Sequence, residues 1–130
     1  MFLEQVITKP DPYAPFLLSQ AIKANGFVFV SGQAAIGDDG EIVGENDFDR
    51  QAEQAFRNLD RVLTAAGSSL SKVVKVTIFL RSMENFGKIV ELRRKWFSAP
   101  YPADSIIEVS SLYSPKAMIE IEAIALTEDR

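Results

Sequence analysis

Along the chain, apolar residues recur first in alternation and then at helical spacing, and the switch between these periods marks out the elements. Phe2 to Thr8 alternates loosely and predicts a strand, ended by Lys9-Pro10-Asp11-Pro12 because proline gives no N–H to a ladder. Leu18 to Lys23 and Phe27 to Ser31 flank Asn25-Gly26, a pair that tolerates the positive φ of a tight turn. They predict two antiparallel strands, with Ser31-Gly32-Gln33 ending the second. After a loop holding Asp38-Asp39-Gly40, residues Ala52, Ala55, Phe56, Leu59, Val62, Leu63 and Ala66 fall on one helical face, the clearest periodic signal in the sequence. Asp47 or Asp49 caps its first turn, and Gly67 ends its last. Val73 to Leu80 is rich in β-branched residues and predicts a buried strand. A second helix is expected over Met83 to Phe97, stopped by Ala99-Pro100-Tyr101-Pro102. Ser105 to Val109 and Met118 to Leu126 complete the sheet.

Strands gathered on one side and two helices on the other make a two-layer α+β sandwich, read as a single domain over residues 1–130. That plan leaves one sheet face without a helix. In the last strand Met118, Glu120, Glu122, Ile124 and Leu126 share one side, and Ile119, Ile121, Ala123 and Ala125 the other. Both sides are largely apolar, so both need cover, and a closed homo-oligomer supplies it without any other protein.

Composition narrows the chemistry more than the fold. The 130 residues include no cysteine and no histidine. Thiol catalysis, disulfides, thiolate or imidazole metal sites and every Ser-His or Cys-His dyad are thereby excluded, and neither a metal nor a cofactor is expected. Carboxylates, hydroxyls, amines, backbone dipoles and water remain. A net charge of -4 and a pI near 4.8 disfavour nucleic acid as a partner, since affinity for a phosphate backbone is mostly a supply of cations. No apolar stretch approaches the roughly 20 residues that span a bilayer. Met1-Phe2-Leu3-Glu4 has no basic segment followed by an apolar one, so a cytoplasmic protein is expected.

Four segments, in this order and spacing, resemble the RidA/YjgF family of reactive-intermediate deaminases. They are Val28 to Gln33, Asn58-Leu59 through Ala65-Ala66-Gly67, Val73 to Leu80, and Pro102 to Val109 followed by Ile119 to Leu126. The likeness runs from about Pro15 to Leu126. It implies a chorismate-mutase-like fold, a homotrimer whose sheets face a central barrel, and small-molecule clefts between subunits. In typical members an arginine just after a Pro-Ala pair holds the carboxylate of a 2-imino or 2-keto acid. A water near a glutamate of the last strand hydrolyses the imine to ketone and ammonia. A planar guanidinium suits that task because its fork meets two carboxylate oxygens at once.

This sequence departs from the pattern at Pro102-Ala103-Asp104, where Asp104 stands in the arginine's place. A carboxylate about 4 Å from a ligand carboxylate is repelled by roughly 1 kcal/mol in water and about 4 in a partly buried cleft. Three further ligand-binding positions implied by the family turn apolar here: Phe16 for a tyrosine, Val90 for an asparagine and Ile106 for a cysteine. Ser31 and Glu120 match the pattern. Glu120 is the expected catalytic residue, as a carboxylate in apolar surroundings is pushed toward a neutral pKa and can exchange protons with water; the competing reading is a solvated charge at a barrel rim. Ser31 either donates to a ligand oxygen or forms a turn. Asp104 either favours an amine-bearing ligand or pairs with a Lys or Arg of the adjacent subunit, and Arg81 or Lys116 is available to replace the missing guanidinium.

Other motifs carry less. Ser69-Leu70-Ser71-Lys72 fits an S-x-x-K pattern, but it follows a helix instead of opening one. Gly32, Gly37 and Gly40 lack the lysine of a phosphate loop, and Arg93-Arg94-Lys95 reads as a solvated helix face beside the core aromatics Trp96 and Phe97. The sequence therefore supports an imine or enamine deaminase with altered specificity. A trimer that binds a small ligand without chemistry is the alternative, and an endoribonuclease or translation inhibitor the lesser one.

Overall fold

Two amide side chains of the long helix, one buried and one half-buried, tie it to the chain at the end of one strand and the start of another. The computed structural model describes residues 3–127. Helix α1, Phe48–Ala65, begins where the Asp47 carboxylate accepts from the Arg50 amide and ends before Gly67, whose φ of 76° lies in the left-handed region. Its apolar face buries Phe56, Leu59 and Leu63 completely. On that face Gln51 is equally buried, and its amide nitrogen donates to the Lys116 carbonyl while its oxygen accepts from the Met118 amide. Asn58, two turns on, donates to the carbonyls of Ala34 and Ile36.

The six strands are β1 Glu4–Val6, β2 Ala21–Ala24, β3 Phe27–Ala34, β4 Val73–Leu80, β5 Ala103–Glu108 and β6 Ile119–Leu126. They lie in the order β1-β2-β3-β6-β4-β5. Asn25 and Gly26 both take positive φ and close the β2–β3 hairpin as the sequence predicts. Phe2, assigned to the first strand from its alternation, lies outside the described residues.

The main differences from the sequence expectation are in β3 and the second helix, and the direction of β5 is one the sequence left open. Strand β3 does not stop at Ser31-Gly32-Gln33: a bulge between Val30 and Gln33 absorbs the two intervening residues, and pairing with β6 resumes through Ala34 and Glu120. The second helix is two pieces, a 3-10 segment Met83–Lys88 opened by the Ser82 hydroxyl and then α2, Ile89–Trp96. Gly87 sits inside the 3-10 segment, where a residue with no side chain weakens the α-helical preference. Finally, β4 and β5 run parallel, joined over the sheet by that helical crossover.

Packing fixes α2 against α1. Trp96 stacks on Phe56 with centroids 5.4 Å apart, and Phe97 meets the same ring edge-on at 5.8 Å. The β4–β5 register places Asp104 opposite Val76 and Ile106 opposite Ile78. Val76 and Ile78 are fully buried under the helices, so Asp104 and Ile106 face the helical layer.

The other sheet face is bare. Ile119, Ile121, Ala123 and Ala125 point into the core, but Ile124 and Leu126 share the uncovered side with Phe27 and Phe29, their partners in register. Phe29 is 45 % exposed and Ile107 43 %. Asp47→Ala is expected to lower stability by about 1 kcal/mol, read as a shift of the urea midpoint at unchanged slope, because it frees one amide of the first helical turn.

Candidate functional site

Two hollows of similar size hold most of the sequence-derived site residues, and no residue lines both. The first, about 400 Å³, lies where β3 leaves its bulge beside the start of β6 and is lined by Tyr13, Phe16, Leu18, Gly32, Tyr113 and Glu120, with Ala34 and Ile36 beneath. Asn58 and Gln51 of α1 tether the chain on both sides of it, at Ala34–Ile36 and at Lys116–Met118. The walls are mostly apolar, and among the described residues that line it Glu120 is the one acidic or basic side chain.

Glu120 lies across Gly32. A Cβ built on Gly32 would collide with the Glu120 carboxylate, so the acid can lie across this position only while it is glycine. The Glu120 carboxylate makes no hydrogen bond or ion pair among the described residues. Burial, and after it the charge of Glu122, raises its pKa above the ordinary 4.5. The Tyr13 hydroxyl donates to the Gly32 carbonyl. Burial and then the Glu120 charge push the Tyr13 phenol far up, which keeps it a neutral donor. Tyr113 moves in the same direction for the same two leading reasons.

The second hollow, open and about 420 Å³, lies between α2 and the edge strand β5, lined by Val90, Arg93, Arg94, Tyr101, Pro102 and Asp104. Asp104 finds a cation within its own chain. The Arg93 Nε of its own chain donates to Asp104 Oδ2 at 2.8 Å. Asp104 Oδ1 is buried without a partner among the described residues, so within this chain Arg93 is the cation that compensates the carboxylate. Removing one member of such a pair strands the other, at about 3 kcal/mol or more.

Phe16 and Glu120 thus share one hollow, and Val90 and Asp104 the other. Ser31 and Ile106 line neither. The Ser31 hydroxyl donates to the Ser19 carbonyl at 2.6 Å and its amide to the Gln20 carbonyl, and Ile106 packs on the core. Arg81 and Lys116 are also engaged elsewhere, Arg81 with the Pro115 carbonyl and Lys116 with Glu45. Sequence reasoning missed Tyr13, Tyr113, Tyr101 and Arg93. Only Arg94 and Lys95 of the basic run form the solvated face expected of it, paired with Glu91 and Glu53. No helix among the described residues is long and apolar enough to cross a membrane.

Comparison with known proteins follows the same architecture. A sequence model of the family described as Endoribonuclease L-PSP matches residues 6–127. A RutC family protein of Pyrococcus horikoshii is 45 % identical over 121 residues, covering 92 % of each chain. The 2-iminobutanoate/2-iminopropanoate deaminase of Dermatophagoides farinae is 36 % identical over 92 % of this chain and 91 % of its own. A solved structure from Yersinia pestis, titled a protein of unknown function of the conserved Rid protein family, superposes with a TM-score of 0.90 at 38 % identity, covering 97 % of this chain and all of that one.

Two outcomes follow from the Glu120 environment. A group whose folded pKa lies above its unfolded value keeps a proton in the native state that the unfolded chain has lost. Stability therefore falls as pH rises from about 4.5 through the raised folded value, and the loss persists above it. Glu120→Gln is expected to flatten that fall in urea midpoints measured from pH 4 to 8; an unaltered profile contradicts the assignment. Gly32→Ala should displace the carboxylate, and because that end of the side chain is flexible the urea midpoint should move by well under the roughly 1–3 kcal/mol of overpacking in a packed core.

Proposed function

The chain belongs to the RidA/YjgF family, whose sequence model carries the description Endoribonuclease L-PSP, and from that premise we propose that it is a homotrimeric hydrolase of small imines or enamines in the cytoplasm, acting at clefts shared between subunits. One observation carries the chemistry. An unpaired carboxylate with a raised pKa sits at the bottom of an apolar hollow large enough for a small metabolite.

In the proposed reaction, Glu120 takes a proton from a water as its oxygen bonds to the imine carbon, and the C=N pair moves onto nitrogen. Glu120 returns that proton to the nitrogen, giving a carbinolamine. The carbinolamine hydroxyl then passes its proton by way of Glu120 to the amine nitrogen, which leaves as ammonia as the C–N bond breaks and the C=O bond forms. The products are ketone and ammonia, and the carboxylate ends as it began. A carboxylate whose pKa is lifted toward the working pH can both accept and return the proton. The Tyr13 phenol, held neutral, braces the Gly32 carbonyl beneath the acid.

Trimer formation is proposed on the bare face of Phe27, Phe29, Ile124 and Leu126, whose exposure in water is costly and whose burial against copies of itself is favourable. In such an assembly the Glu120 hollow of one chain meets the α2–β5 hollow of the next. The Asp104-for-arginine exchange then sets which ligands enter. The apolar walls at Phe16, Leu18 and Ile36 also support a second reading, a trimer that holds a ligand without transforming it. Ribonuclease chemistry is not part of the proposal, since a chain of net charge -4 without histidine offers little for a polyanion.

Ammonia release over a panel of ketimines and enamines generated in situ tests the reading. Glu120→Gln is expected to slow release by at least 100-fold. An unchanged rate removes this mechanism. No release from any substrate, together with a rise in melting temperature on adding ketone products, favours the binding protein. Phe29→Glu is expected to turn the trimer into a monomer in sedimentation velocity, and a parent chain that already sediments as a monomer overturns the shared clefts.

A further inference from the structure

The hollow over Gly32 holds an acid that the chain leaves without a counter-ion. Its lining includes Glu120 and no Lys or Arg, and the carboxylate has neither a hydrogen bond nor an ion pair among the described residues. The charged residues that act on the groups around it share one sign. Glu120 and Asp11 push the Tyr13 phenol up, Glu120 and Glu41 do so for Tyr113, and Glu122 acts on Glu120 itself. The α2–β5 hollow, which the proposed cleft sets opposite, does not reverse the balance. Arg93 there is paired with Asp104 and Arg94 with Glu91, so each guanidinium brings its own carboxylate.

The walls add a second, independent feature. Three aromatic rings, Tyr13, Phe16 and Tyr113, line a space of about 400 Å³ together with Leu18 and Ile36. Tyr13 gives its hydroxyl to the Gly32 carbonyl, which leaves its ring to the hollow. Phe16 and Tyr113 are more than half exposed, so their rings are open to a ligand. The face of an aromatic ring is negative and attracts a cation, more strongly where water is excluded. The fold has drawn the Glu120 carboxylate partly out of water without giving it a partner, and a ligand cation supplies that compensation.

We propose that the hollow over Gly32 is a binding site for a small organic cation, in which Glu120 is the counter-charge and the rings of Tyr13, Phe16 and Tyr113 flank the charged nitrogen. The ligand class is an alkylammonium or iminium ion whose alkyl part lies against Leu18 and Ile36. This deepens the hydrolase reading given above by naming the charge of what the hollow admits. It rests on that reading for the reaction alone, since binding stands on the acid and the rings. Such a ligand is opposite in sign to the 2-imino and 2-keto acids that the family resemblance implies.

The test compares choline with 3,3-dimethylbutan-1-ol, its uncharged isostere, by titration calorimetry on the intact protein at pH 8. The parent is expected to bind choline about 10-fold or more tightly than the alcohol. Glu120→Gln, nearly the same in shape, should lose that preference. Tyr113→Leu should weaken choline by about threefold or more while the alcohol changes by less than about twofold, and Tyr113→Phe, which keeps the ring, should bind choline as the parent does. A rim that serves only as apolar surface does not separate the two probes in this way. A parent that does not prefer choline, a Glu120→Gln variant that keeps the preference, or a Tyr113→Leu variant that treats both probes alike overturns the proposal. Ammonia release from the ketimine panel separates the two readings. If Glu120-dependent release persists while choline is not preferred, the cation site falls and the hydrolase stands. If no imine is hydrolysed while the preference holds, the reverse is true.

Discussion

A six-stranded sheet has two faces, and this chain makes helices for only one of them. Everything else in the molecule is arranged around that shortfall. The helix-side residues of β6 are buried at Ile119, Ile121, Ala123 and Ala125, while Ile124 and Leu126 join Phe27 and Phe29 on the side that no segment covers. Burial of apolar surface is worth roughly 25 cal/mol per Å², so several large side chains left in water are a standing incentive to association. Both hollows lie off the helix-packed core, one over the β3–β6 seam and the other at the β5 edge.

Two carboxylates show how environment assigns roles. Glu120 pairs with no cation among the described residues, sits in apolar surroundings and holds its proton more tightly than a free glutamate. Asp104 is also largely covered, yet a guanidinium at 2.8 Å keeps it paired. Solvation and partners decide the difference, and residue type decides little. The reversal of charge at position 104, so conspicuous in the sequence, is locally compensated once α2 is packed in place.

The legible parts of the fold were those written in local chemistry. Asn25-Gly26, Asp47 and Gly67 each require a particular backbone conformation or cap, and each does what it predicts. The apolar stripe from Ala52 to Ala66 can face only a core. The bulge at Ser31-Gly32 was not legible, because the strand it is made against, and the Glu120 side chain laid across it, come from the far end of the chain. The parallel pairing of β4 with β5 likewise leaves no period in the sequence. Arg93 was hidden inside a run of three cations, and only the crossing of helix and strand singles it out from Arg94 and Lys95. Ser31 illustrates the opposite case, a residue matching a family pattern whose hydroxyl is already committed to the Ser19 carbonyl.

The Gly32–Glu120 contact also limits how the Glu120 hollow can diversify. Its floor is a backbone with an acid laid over it, so that side offers no room for variation without dislodging the acid. The rim is different: Phe16 and Tyr113 are more than half exposed and Leu18 nearly so, carried on loops outside the sheet. Descendants of this sequence, or designs built on it, can therefore widen or narrow their range of ligands by redrawing the rim while the reactive centre stays as it is.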